Sequence, residues 1–188
     1  MVVALGVICG SWQNAQAQDL DCRDSNRDLQ VQKCTNAIQT ASSDRDRATG
    51  HLYRCQAYDM LGKYADALAD CQEAVRLNPD DNSTHNSISI IYQNMGRHEQ
   101  AVDAATRAIQ GNDKIAGYFN TRANAHCMVG NIDESMNDRM VAMNKGLYTP
   151  KRIQEILAGK GFYKGPLDGN FGQGSRAALR DWTQAGCK

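Results

Sequence analysis

Gly62, Gly96 and Gly130 stand 34 residues apart, and each follows a helical stretch ending in a large apolar residue, Leu61, Met95 and Val129. The same interval links Tyr58, Tyr92 and His126; Tyr64, His98 and Ile132; Ala67, Ala101 and Ser135; and Ala74, Ala108 and Ala142. Several columns agreeing at one period mark a chain built from stacked copies of a single supersecondary unit. Each copy reads helix, short turn, helix, most clearly in "ATGHLYRCQAYDMLGKYADALADCQEAVRLNPDD", residues 48–81. Its glycine ends the first helix, because glycine enters the left-handed conformation that other residues resist. Ala67 and Ala74 lie seven apart on one face of the second helix, so the first can approach closely. Pro79 stops the unit, and Asp80 and Asp81 polarise its exit. The ruler therefore restricts the fold to an all-α array of helical hairpins.

These columns resemble tetratricopeptide repeats over residues 48–81, 82–115 and 116–147, with Ser135 and Arg139 standing in the third unit where smaller or aromatic residues are usual. Upstream, "DLQVQKCTNAIQT" resembles the second helix of an incomplete earlier repeat, with Ala37 in the packing column. The resemblance implies an α-solenoid whose concave groove holds a peptide or protein. Carried onto this chain, the groove positions are Leu52, Gln56 and Asp59; Asn86, Ile90 and Gln93; then Asn120, Asn124 and Cys127. Most are amides, and the family's Lys/Arg clamp for a C-terminal carboxylate is missing from them, so recognition of chaperone tails is not expected.

The end of the chain has a different texture. Residues 161–174 hold five glycines, between a helix opened by Pro150 with Ile153, Ile156 and Leu157 on one face and a closing helix in which Ala178, Leu179 and Trp182 can pack back. Ser175 is the expected cap of that closing helix, and Asp168-Gly169 a turn pair. The ordered residues Ile153, Gln154, Leu157, Gly161, Phe162, Tyr163, Gly165, Pro166, Asp168, Gly169, Phe171, Gly172, Ser175, Arg176, Ala178 and Leu179 resemble the peptidoglycan-binding module of bacterial cell-wall hydrolases and envelope proteins. The resemblance implies a glycan- or stem-peptide-binding tip. There Tyr163 and Phe171 would offer flat faces to ligand, Arg176 would hold a carboxylate, and Asp168 would shape the turn. The alternative is that the same residues fold a mini-domain that only caps the last repeat.

Residues 2–10, "VVALGVICG", are too short to span a bilayer but suit the core of an export signal, and Ala15 and Ala17 place its cleavage before Gln18. The expected organisation is a signal at 1–17, a partial repeat at 18–47, three repeats at 48–147 and the peptidoglycan-binding-like module at 148–188, in a periplasmic protein with no stable membrane insertion after signal removal. Six cysteines remain: Cys22, Cys34, Cys55, Cys71, Cys127 and Cys187. An even number in an exported chain suggests disulfides, although fifteen pairings are possible and buried free thiols are the alternative. Cys55 and Cys71 face each other across one hairpin, Cys22 and Cys34 bracket the incomplete repeat, and Cys127 with Cys187 would join tail to repeat.

The net charge is zero, so no global field points to nucleic acid. From Leu147 onward, however, seven Lys/Arg stand against three acids, a balance of +4 that suits an anionic polymer. His51 and His85 share a repeat column, too far apart for one metal, and His98 and His126 replace column tyrosines. No zinc-ligand spacing, HExxH, GxSxG or phosphate-cradling loop occurs, so neither a cofactor nor an enzymatic activity is expected.

Overall fold

A computed structural model describes residues 22–186. The expected signal at 1–17 and the residue Cys187 lie outside the described residues. Among them the chain forms helices and no strand: α1 (Arg27–Thr40), α2 (Asp44–Met60), α3 (Tyr64–Leu77), α4 (Asn82–Asn94), α5 (His98–Gly111), α6 (Ala116–Met128), α7 (Ile132–Asn144), α8 (Pro150–Gly159) and α9 (Gln173–Gly186). Helices α2/α3, α4/α5 and α6/α7 are the three hairpins, each packed against the next.

One device closes the first helix of each hairpin. Gly62, Gly96 and Gly130 sit at φ of 72°, 73° and 83°. In each case the glycine N–H bonds the carbonyl three residues back, and the next N–H bonds the one five back, as in Gly62 to Asp59 at 2.9 Å and Lys63 to Tyr58 at 2.8 Å. This double bond satisfies carbonyls that the helix end would otherwise leave unpaired. Gly146 and Gly161 close α7 and α8 in the same way. At the other ends, Ser43, Asp81 and Thr149 accept N–H bonds as caps of α2, α4 and α8.

The alanine columns are the contact between helices. Ala67, Ala101 and Ser135, and Ala74, Ala108 and Ala142, are all buried. Two buried serines at this contact, Ser135 in the column itself and Ser89 opposite it, find main-chain partners across their hairpins. Ser89 Oγ donates to the Ala101 carbonyl, and Ser135 Oγ to the Ala123 carbonyl, both at 2.7 Å. In the first hairpin the residue equivalent to Ser89 is Cys55, which forms a disulfide with Cys71, the Cα atoms 5.5 Å apart. A second, Cys22–Cys34, fastens the segment before α1 onto that helix.

The hairpins differ in one buried pair. Arg54 of α2 grips Asp70 of α3 through Nε and Nη2, both at 2.7 Å, and Arg122 of α6 grips Asp138 of α7 at 2.7 and 2.8 Å. His51 Nδ1 also lies 2.9 Å from Asp70. Each carboxylate holds its guanidinium's pKa above the ordinary value, chiefly through the hydrogen bonds. In the middle hairpin the same columns hold Ile88 and Ala104, an apolar pair. A buried ion pair and a well-packed apolar pair are near-equivalent solutions to one packing problem.

Two local expectations are corrected. Helix α2 starts at Asp44, a turn earlier than the repeat register places it, so α1 is shifted back along the chain. The small buried residue of α1 is therefore Cys34, while Ala37, one turn later, is only half-buried. Ser175 does not cap α9, which already begins at Gln173. It is buried inside the first turn and bonds Gln154 instead.

Candidate functional site

The first helices of the hairpins touch each other, α2 with α4 and α4 with α6, whereas the second helices make no comparable contact. The first helices thus form the inner, tighter side of the curved array. Ile90 is exposed on this face, and Asn124 at its end is exposed as well. Several of the expected groove residues are occupied in stitching one hairpin to the next. Gln56 Nε2 donates to Ser87 Oγ at 3.2 Å, Asn94 Nδ2 to Asp59 Oδ1 at 2.8 Å, and Gln93 Nε2 to the Thr121 carbonyl at 3.2 Å. Asn86 and Asn120 are half-buried, and the Asn86 side-chain oxygen is buried without a hydrogen-bond partner. Leu52 is corrected outright: it is 6% exposed and sits in the core of the first hairpin with Cys55, Cys71 and Ile91, so it offers no groove surface. Cys127 is buried too, its Sγ 3.4 Å from the Thr183 carbonyl of α9.

In the tail, the glycine-rich loop is built around one side chain. Gln154 of α8 is fully buried. Its Oε1 accepts the Gly169 N–H at 2.8 Å, and its Nε2 lies 3.0 Å from the Asn170 carbonyl, 3.2 Å from Ser175 Oγ and 3.3 Å from Asp168 Oδ1. One amide thereby ties α8 to the turn and to α9, with Gly169 supplying the positive φ of 79°. Asp168 also accepts the Asn170 N–H at 2.9 Å. That bond, then Gln154, holds the Asp168 carboxyl below the ordinary carboxylate range. Asp168 shapes the turn, although its exposed carboxylate remains at the loop surface. Tyr163 and Phe171 are half-buried against Met136, Met143 and Leu157, and the Tyr163 hydroxyl donates to the Pro166 carbonyl at 3.2 Å. Arg176 is exposed, and its guanidinium forms no ion pair among the described residues. In the loop itself Lys164, Pro166 and the 43%-exposed Leu167 are exposed as well.

This core is continuous with the last repeat. Ile153, Leu157, Ala178 and Leu179 of the tail pack with Met136 and Met143 of α7. Trp182 of α9 lies under the Arg139 guanidinium at 5.1 Å and the Lys160 ammonium at 5.9 Å. In the sequence Arg139 is out of place in its column and Trp182 is a residue that can pack back. Their stacking needed the fold.

Residues 48–81 and residues 83–110 each match a family model described as tetratricopeptide repeat. Tetratricopeptide repeats are therefore present, and the all-helical array is an α-solenoid. Solved structures similar to the chain include MamA from Desulfovibrio magneticus, at 10% identity and a TM-score of 0.61, covering 87% of this chain and 86% of that one. A thermophilic TPR protein of Thermus thermophilus is similar at 16% identity and a TM-score of 0.61, covering 85% and 82%. The first TPR of Spaghetti, bound to an HSP90 peptide, is similar at 15% identity and 0.56, covering 79% and 99%. At these identities the likeness concerns the fold. No curated protein matches the chain in sequence. Repeats of this kind are interaction scaffolds that bind proteins or peptides, and no helix among the described residues is long and apolar enough to cross a membrane.

Proposed function

We propose that this is an exported, periplasmic envelope protein that holds a protein or peptide partner on the inner face of its repeats and peptidoglycan on residues 148–188. The Gln154-centred loop carries the second half of this proposal. Every residue of the ordered motif that bonds Gln154 (Tyr163, Asp168, Gly169 and Ser175) serves to fix the loop, so the motif's pattern has a structural cause here. A loop fixed in this way presents Leu167, Asp168 and Arg176 in one arrangement, which lowers the ordering cost of binding a sugar or stem peptide. The +4 balance from Leu147 onward favours an anionic polymer, and the apolar run at residues 2–10 supports delivery to its compartment.

The test is co-sedimentation of the chain from Gln18 onward with purified sacculi, compared with Arg176→Ala and Leu167→Ala. A chain cut at Leu147 is unsuitable, because it strips α8 and α9 from Met136 and Met143. Pelleting of the unsubstituted chain that is lost in the two surface variants supports wall binding through this loop; an unsubstituted chain that stays in the supernatant refutes wall binding, and variants that pellet as it does refute the assignment to the loop.

A second reading has its own observation. The tail shares a core with α7 and buries much of Tyr163 and Phe171, as a cap on the last repeat would. On that reading the protein is a non-catalytic interaction adaptor, and sacculi do not retain it.

A further inference from the structure

The third hairpin departs from the others at one column. Cys71 and Ala105 are small and fully buried there, and the equivalent residue on α7 is Arg139. Its guanidinium lies at the seam of the array and the tail, over the Trp182 ring of α9. Only one of its donors finds a hydrogen-bond partner among the described residues: Nη2 bonds Asn124 Oδ1 at 3.2 Å, while Nε is buried without one. Arg54 and Arg122 each meet an aspartate, but no carboxylate among the described residues pairs with Arg139. Lys160 brings a second positive charge to the same ring. An indole face attracts a cation without neutralising it. Burial pushes the Arg139 pKa down, as expected for a charge removed from water with no counter-charge.

Beside this cation is a hollow of about 250 Å³ to which both parts of the chain contribute. The array supplies Asn124 and Arg139, and the tail supplies Ile153, Ile156, Leu179 and Trp182. No acidic side chain among the described residues lines it. A mostly apolar wall with a few polar groups on one side is the composition of a small-molecule site. Its volume falls just below the roughly 300–1,000 Å³ of sites for drug-sized ligands, so the occupant is short. An under-bonded guanidinium and an amide facing an apolar wall are complementary to a ligand with one anionic and one apolar end.

We infer that this hollow binds a small amphiphilic carboxylate, a free monocarboxylic acid whose short aliphatic tail lies against Ile153, Ile156 and Leu179 and whose carboxylate meets Arg139. The anion supplies the missing counter-charge and accepts from the guanidinium donors once the side chain turns toward it. Array and tail each form part of the wall, so the ligand fastens one to the other, and stability rises with its concentration. The site uses none of the loop residues Leu167, Asp168 and Arg176, and it requires neither a partner on the inner face nor the wall.

The experiment uses the full chain carrying Trp12→Phe, which leaves Trp182 as the sole tryptophan. Its emission is followed on titration with octanoate, with octanamide, which keeps the tail without the charge, and with acetate, which keeps the charge without the tail. Octanoate is expected to shift Trp182 emission saturably and to raise the thermal midpoint. Octanamide and acetate should each bind roughly tenfold or more weakly, the first for want of a charge-assisted bond and the second for want of apolar burial. Arg139→Gln and Arg139→Ala should lower octanoate to the level of octanamide, and an unchanged helical circular dichroism spectrum shows that they fold. The comparison of octanoate with octanamide needs no substitution at Arg139, so it tests the site independently of those variants. Octanoate that leaves emission and midpoint unchanged would overturn the inference and leave Arg139 as a staple between α7 and α9. Octanamide binding as tightly as octanoate, or octanoate binding undiminished in folded Arg139 variants, would overturn the role of the cation. Acetate binding as tightly as octanoate would overturn the role of the hollow.

Discussion

The alternation of ion pair and apolar pair down the hairpins gives a quantitative test of the packing. Asp70 accepts two bonds from Arg54 and faces His51, with its side chain 9% exposed against 19% for Arg54. Asp70→Ala removes the anion and leaves Arg54 with only the Thr35 hydroxyl, at 2.9 Å. Breaking a buried pair in this way costs about 3–5 kcal/mol, and the partial exposure of Arg54 places the value near the lower end, about 3 kcal/mol. At an m-value of about 2 kcal/mol/M in urea, the unfolding midpoint falls by about 1.5 M. Adding Arg54→Ile recreates the Ile88/Ala104 pair of the middle hairpin, so most of the loss should return. The assay is urea unfolding of the unsubstituted chain, both single variants and the double variant, followed by helical circular dichroism and analysed as a cycle. A coupling energy of at least about 2 kcal/mol is expected. A double variant as unstable as Asp70→Ala would show that the three hairpins do not solve one packing problem in two ways.

Ala101 is fully buried between α4 and α5, its carbonyl held by Ser89, so Ala101→Leu should overpack the hairpin and cost about 1–3 kcal/mol, while Glu99→Gln on the exposed face should do almost nothing. Thermal melts that coincide for the two would refute the register. His85 and His126 are held below the ordinary histidine pKa, in both cases first by burial. The fold keeps them neutral while the unfolded chain takes up protons near pH 6.5, so their contribution is lost as pH falls below about 6.5. Melting temperatures measured at about pH 8 and about pH 5 should therefore fall less in a His85→Gln/His126→Gln variant than in the unsubstituted chain.

The period in the sequence names which residues share a column, and that sufficed for the hairpins, the closing glycines and the facing of Cys55 on Cys71. It does not state depth or partner. Leu52 shares a face with Gln56, yet its depth depends on Ile91 of the next hairpin, and Gln56, Asp59 and Gln93 bond neighbours that stand 28 to 35 residues away. The earlier start of α2 was hidden because no column covers residues 44–47, where Ser43 provides a cap and fixes the helix start. In the tail the motif's order was legible, but the purpose of Gln154 was not. A glutamine on an apolar helix face acquires its role only when Gly169, Asn170 and Ser175 are folded around it. Arg139 stood out as a large cation in a small-residue column, and what it meets, Trp182, lies 43 residues further on.

The central claim, that the Gln154-ordered tail attaches the protein to peptidoglycan, is tested most directly by sacculus co-sedimentation across a salt series. Attraction between a +4 segment and an anionic polymer is screened within a Debye length of about 3 Å at 1 M salt, whereas specific contacts persist. The chain from Gln18 onward should pellet with sacculi at both low and high salt, and Arg176→Ala should pellet less at both. Pelleting that vanishes at high salt, or that is equal for the two proteins, would contradict the claim and leave residues 148–188 as the cap of the repeat array.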